Sequence, residues 1–121
     1  MKILTVLCQK GGVGKTTFVV NLGKLLSHKG YKTLLIDTDP QGNVSTYLNF
    51  DKNSKAALSA TDLFENRLDK EIMKVSENLY LIPSNKSIIK HSSEKIIGGS
   101  KLIKHKNFLT ENGFDLVLID T

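Results

Sequence analysis

The sequence predicts an α/β fold, a mostly parallel β-sheet flanked by helices, and three observations lead there. Short apolar runs that suit buried strands recur in "ILTVLC" (3–8), "TLLID" (33–37), "NLYLIPSN" (78–85) and "FDLVLIDT" (114–121). A helical pattern separates the first two, which makes a βαβ unit with parallel strands and a right-handed crossover. Aspartates stand at or just beyond the C-terminal ends of the second and the last of these strands, the edge at which open α/β sheets bind ligands.

Each element has a local cause. The first strand, from Ile3 to Cys8, runs straight into the glycine-rich turn "QKGGVGKTT". From Lys15 onward, Phe18, Leu22, Leu25 and Leu26 recur at helical spacing, and Gly30 stands where a helix C′ residue belongs. The second strand, Thr33 to Asp37, is broken by Pro40 and Gly42. Ser59, with Asp62 three residues on, predicts a capping box for a short helix through Phe64. Pro83 ends the third strand, and Lys86 to Lys106 reads as helical on both sides of Gly98-Gly99.

The last strand is apolar enough to need covering helices on both faces, and none follows it. The expectation is that residues 1–121 are the N-terminal part of a single domain, truncated at its C-terminus. The alternative is a small domain whose last strand lies at a sheet edge, although so apolar an edge invites aggregation.

With 121 residues, 40% of them hydrophobic, the chain suffices for one core rather than two. A net charge of +5 favours anionic partners such as nucleotides, nucleic acid or acidic membranes. The single cysteine, Cys8, excludes an internal disulfide and a multi-cysteine metal site, and suits a reducing cytosol. The opening "MKILTVLC" is interrupted by Thr5 and falls short of the ~7 to 15 apolar residues of an export signal. No segment approaches the ~20 apolar residues of a membrane span, so the expectation is a cytoplasmic protein with no membrane partner.

The glycine-rich turn carries the clearest chemistry. Gly11, Gly12 and Gly14 leave backbone N–H groups unobstructed, and the following helix aims its positive end at the same point, so the loop suits an anion. Gly14-Lys15-Thr16 is the ending of the phosphate-binding pattern G-x-x-x-x-G-K-S/T, although Gln9 stands where that spacing has glycine. Lys15 would add a charge at the β and γ phosphates, Thr16 would ligate Mg²⁺, and Thr17 would support the α-phosphate. The loop chemistry thus predicts nucleotide binding along Gly11 to Thr17, Val13 included. A dinucleotide site fails, because the third glycine of its fingerprint would fall on Thr17.

Three strand-end carboxylates should converge on those phosphates. Asp120 suits the metal, held through water, and Asp37 is assigned to the same ion. Asp39, in the loop "DTDPQGN", suits the positioning of an attacking water. Taken singly, each aspartate could equally be a turn or cap residue.

"KGGVGKTT" (10–17), "LLIDTDPQGN" (34–43), "LIPSN" (81–85) and "FDLVLID" (114–120) follow the order found in the ParA/Soj family of chromosome- and plasmid-partitioning ATPases. The sequence resembles the N-terminal half of these deviant Walker A P-loop proteins. The resemblance implies ATP and Mg²⁺ as cofactors and Lys10, Lys15 and Asp39 as the catalytic residues. Lys10 would reach across a nucleotide-sandwich dimer to the partner's phosphates. It further implies a second copy, a ParB-type centromere-binding protein and non-specific DNA as partners, with nucleoid association. Cys8 departs from the asparagine common at that position. The Lys86, Lys90, Lys95, Lys101, Lys104 and Lys106 stretch is a candidate for DNA attraction or a solvated face. Two alternatives stand beside this reading: a MinD-like division-site ATPase, against which the loop "DPQGN" argues, and a truncated nucleotide-binding fragment without turnover.

Overall fold

The structure, a computed structural model, describes residues 1–6, 13–48, 57–90 and 105–120. Its elements are β1 (Lys2–Val6), α1 (Val13–His28), β2 (Thr33–Asp37), α2 (Asn43–Tyr47), α3 (Ala60–Phe64), β3 (Met73–Ser76), β4 (Leu79–Ile82), α4 (Lys106–Glu111) and β5 (Leu116–Asp120). Five strands form one sheet in the order β1-β5-β2-β4-β3. All neighbours are parallel except β3, which pairs antiparallel with β4. β5 lies between β1 and β2, which corrects the alternative of a last strand at a sheet edge.

This order dictates two helical layers. The chain moves from β1 to β2 and β4, then turns back past β2 to insert β5, and a right-handed crossover that reverses direction changes face. α1 accordingly packs Val19 and Val20 on Leu35, Leu81 and Leu118. α3 and α4 pack Leu63, Phe64 and Leu109 on the opposite face, against Leu34, Ile36, Val117 and Ile119. Alternate residues of β2 and β5 thus feed two cores, which explains their unbroken apolar runs.

α1 corrects the expected inner stripe. Leu22 and Leu26 pack partly on the core, but Phe18 and Leu25 are 54% and 53% exposed. The buried line is Thr16, Val19, Val20, Gly23 and Ser27. Both flanks of the helix carry large apolar residues, so their spacing does not fix its rotation; the close approach at Gly23 does. A Cβ on Gly23 would stand 2.8 Å from Leu35 Cδ2. The helix ends as predicted: Gly30 has φ +94°, its N–H donates to Ser27 O at 3.0 Å, and Tyr31 N–H donates to Leu26 O at 3.2 Å.

The capping box is present: Ser59 Oγ accepts from Asp62 N–H at 3.2 Å, and Asp62 Oδ2 accepts from Ser59 N–H at 3.0 Å. Asp62 also pairs with Arg67 at 3.1 Å and Lys70 at 3.3 Å. Burial pushes the Asp62 carboxyl up, but Ser59's N–H and hydroxyl, with Lys70, hold it below its usual range.

Two elements are additions to the sequence reading. β3 alternates half-buried Met73 and Val75 with exposed Lys74 and Ser76, and Asn78 at φ 62° turns it into β4. α2 follows a turn in which Gly42 N–H donates to Asp39 O at 2.9 Å, with Pro40 and Gly42 at their favoured positions. Of the lysine-rich segment, residues 86–90 form 3-10 turns and Lys106 starts α4; the expected helix on both sides of Gly98-Gly99, with Lys95, Lys101 and Lys104, lies outside the described residues. Among the described residues, no helix is long and apolar enough to cross a membrane.

Candidate functional site

Asp37 and Asp120 end adjacent parallel strands and are direct neighbours in register. By alternation they share the face of Leu35 and Leu118, the face covered by α1. The first turn of α1 therefore meets them. Lys15 Nζ lies 3.1 Å from Asp120 Oδ1, with both side chains buried, and Thr16 Oγ1 donates to Asp120 Oδ2 at 3.3 Å. Three of the sequence-predicted residues thus touch one another although 104 positions separate Thr16 from Asp120.

Among the described residues, Asp120 Oδ1 has the Lys15 charge beside it but no well-aligned hydrogen bond, an unusual state for a fully buried carboxylate oxygen. Its strand end is fixed by Thr38, whose N–H and hydroxyl donate to Asp120 O at 2.9 and 3.1 Å. Asp37 is fully buried. Its Oδ1 accepts from Asp39 N–H at 2.9 Å and its Oδ2 from Val44 N–H at 3.3 Å. Burial pushes this carboxyl up to about 7; the Asp39 N–H opposes the rise, Asp120 adds to it, Val44 N–H opposes it and Asp39's charge adds again. Asp39 is half-buried, and its own Oδ1 accepts from Gln41 N–H at 3.0 Å, closing the loop on itself.

Gly14 is exposed in the first turn of α1, and a Cβ there would meet nothing within 4 Å. Thr17 is half-buried one residue beyond Thr16. Val13 begins α1, while Lys10, Gly11 and Gly12 lie outside the described residues. A recess of about 190 Å³ adjoins this corner, lined by Thr16, Asn43, Thr46 and Tyr47. The three α2 residues escaped the sequence reading; the type I turn signal of "DPQG" was the clue that a new element starts at Asn43.

The donor set fits magnesium rather than a metal caged by protein. Among the described residues, no three His, Cys, Asp or Glu side chains converge to ligate an ion. Mg²⁺ is ordinarily held by one or two oxygen ligands of the protein, with water and phosphate completing its shell. Thr16 Oγ1 and the under-satisfied Asp120 Oδ1 supply that kind of set.

The family profile of the AAA domain matches residues 1–121, and the sporulation initiation inhibitor protein Soj of Bacillus subtilis is 34% identical over 123 residues. The chain belongs to the ParA/Soj family of P-loop ATPases. The match to Soj covers 98% of this chain and 49% of Soj, and this ParA/Soj member spans about half the length of the curated relatives it matches. A plasmid partition protein from Borrelia burgdorferi superposes with a TM-score of 0.75 at 35% identity, covering 99% of this chain and 55% of that one. Cobyrinic acid a,c-diamide synthase from Mycobacterium smegmatis, solved with a bound ATP analogue and magnesium, gives a TM-score of 0.80 at 28% identity, over 99% of this chain and 50% of its own.

Proposed function

We propose that this chain is the nucleotide-handling part of an Mg²⁺-dependent ATPase that partitions chromosomal or plasmid DNA. The observation that carries the reading is the buried meeting of Lys15 and Thr16 with Asp120 at the C-terminal edge of a parallel sheet. Similarity to Soj and to the Borrelia plasmid partition protein supports the partition role.

In this reading Lys15 exchanges Asp120 for the β and γ phosphates of ATP, which keeps its buried charge paired. Gly11, Gly12, Val13 and Gly14 would offer backbone N–H groups to the phosphates, and Thr17 would support the α-phosphate. With Lys15 turned to the nucleotide, Asp120 Oδ1 would be free to hold a water bound to Mg²⁺, and Thr16 Oγ1 would be a ligand of the ion. Mg²⁺ bound there would supply neutralisation of the charge that develops during phosphoryl transfer. Asp39 sits on a loop beside the site, where it would orient the attacking water. Lys10 would act in trans from a second copy, so that ATP drives dimerisation. A ParB-type partner would stimulate turnover, and the dimer of the full-length protein would bind DNA non-specifically on the nucleoid in the cytoplasm.

The test is Mg²⁺-dependent ATP hydrolysis at micromolar protein. Lys15→Ala and Asp39→Ala should abolish it, and turnover that survives both substitutions would refute the assignment. A chain that binds ATP without turning it over would reassign it as an inactive nucleotide-binding fragment.

A further inference from the structure

Asp37 is assigned to the metal by its place at a strand end, yet its carboxylate is already in use. Oδ1 accepts from Asp39 N–H at 2.9 Å and Oδ2 from Val44 N–H at 3.3 Å, and the side chain has no exposed surface. We propose that Asp37 is a positioning residue: its two oxygens clamp the Asp39 loop and the start of α2 to the end of β2, fixing Asp39 and the α2 wall that faces Thr16, without coordinating the metal shell.

The chain between the two donors is short and closed. Asp39 accepts from Gln41 N–H through Oδ1 and from Gly42 N–H through its carbonyl, so residues 39 to 42 form a self-bonded turn. Asp37 ties this turn to the end of β2 through Asp39 N–H, and ties the start of α2 that follows it through Val44 N–H. Val44 also buries its side chain against Val19, Val20 and Leu35. Holding Val44 N–H therefore seats α2 beside α1, where Asn43, Thr46 and Tyr47 complete the recess next to Thr16. Only a carboxylate fits this duty. Asparagine has the same shape but one acceptor oxygen, so its amide N–H would confront a backbone donor.

The clamp itself is visible without nucleotide; only its catalytic consequence rests on the ATPase reading above. Amide hydrogen exchange on the nucleotide-free 121-residue chain should show protected N–H groups at Asp39 and Val44. Above pH 7, where the Asp37 carboxyl is ionised, Asp37→Asn should accelerate both by about 10- to 100-fold, the range for losing a hydrogen bond to a charged acceptor. For the ATPase half, Asp37→Asn should lower kcat while leaving the Mg²⁺ concentration needed for ATP binding within about threefold, a change of under 1 kcal/mol. Asp120→Asn should instead raise that requirement. Unchanged protection in Asp37→Asn, or turnover restored by excess Mg²⁺, would overturn the clamp and return Asp37 to the metal. Should Asp37→Asn fail to fold, the wild-type chain decides: open-chain exchange rates at Asp39 and Val44 would refute the proposal. If the chain binds no ATP at all, the ATPase reading falls, while the exchange measurements still judge the clamp.

Discussion

Replacing Gly23 by alanine sets two terms of opposite sign against each other. In a helix interior, alanine is favoured over glycine by about 1 kcal/mol, so propensity alone says the variant gains stability. The added Cβ, however, would stand 2.8 Å from Leu35 Cδ2 and 3.4 Å from both Leu35 Cγ and Leu79 Cδ1. Leu35 and Leu79 are 0% and 1% exposed, so neither has a free direction in which to retreat. Overpacking of this kind costs about 1 to 3 kcal/mol. The expected balance is a net loss of up to about 2 kcal/mol, or a fall in Tm of several degrees, on the order of 4 °C per kcal/mol at this chain length. Urea unfolding measures it, with Asn21→Ala on the exposed side of the same helix as the control for propensity. Gly23→Leu should lose more still. A Gly23→Ala variant more stable than wild type by the full propensity gain would refute the claim that contact at Gly23 sets the rotation of α1, and with it the seating of Lys15 and Thr16 over Asp120.

Leu118→Ala, at the centre of the sheet under α1, should cost about 2 to 5 kcal/mol by chemical denaturation. Asp62→Ala removes the capping box and the partner of Arg67 and Lys70, and should cost about 1 to 3 kcal/mol at neutral pH. Because the Asp62 carboxyl is held below its ordinary value of 3.8, its contribution is present above that pH and is lost as pH falls through its lower folded value, so wild type and Asp62→Ala should converge in acid. Asp37 has the opposite sign: with its carboxyl raised from 3.8 to about 7, its contribution is complete below pH 3.8 and lost as pH rises through about 7. Thermal melts of wild type against Asp37→Asn should therefore move against the wild type by about 2 kcal/mol between pH 5 and pH 8. In a chain of the full length of its Soj relatives, the proposed DNA affinity should fall steeply with added salt, and binding indifferent to salt would contradict a phosphate-dominated contact.

The strands and the corner where Lys15, Thr16 and Asp120 meet were legible because each depends on local pattern. Within a parallel sheet, apolar runs that end in aspartate bring their carboxylates to one edge, and a helix that starts there on Gly-Lys-Thr meets them. Hence Lys15, Thr16 and Asp120 meet as their positions imply. Gly30 and the Ser59–Asp62 box were equally readable, since a cap is a short-range contract between neighbours in sequence. What escaped depends on tertiary packing. The rotation of α1 is decided by a glycine meeting Leu35 rather than by the large residues Phe18 and Leu25. α2 has the weak helix formers Asn, Val, Ser, Thr and Tyr, and is held by Asp37 and the core. β3 is only four residues of alternation beside a stronger partner strand. The second duty of Asp37 was hidden for the same reason: its acceptors serve N–H groups two and seven residues on, in a turn whose shape no periodicity encodes.

The claim on which the account turns is that Lys15 makes this chain a receptor for Mg²⁺·ATP. Equilibrium titration of the 121-residue chain with ATP, with and without Mg²⁺, tests it directly for wild type, Lys15→Ala and Lys10→Ala. The expected result is saturable, magnesium-dependent binding that Lys15→Ala loses and Lys10→Ala keeps, with Lys10→Ala impaired only in ATP-dependent self-association or turnover. Binding that is unaffected by Lys15→Ala would contradict the account.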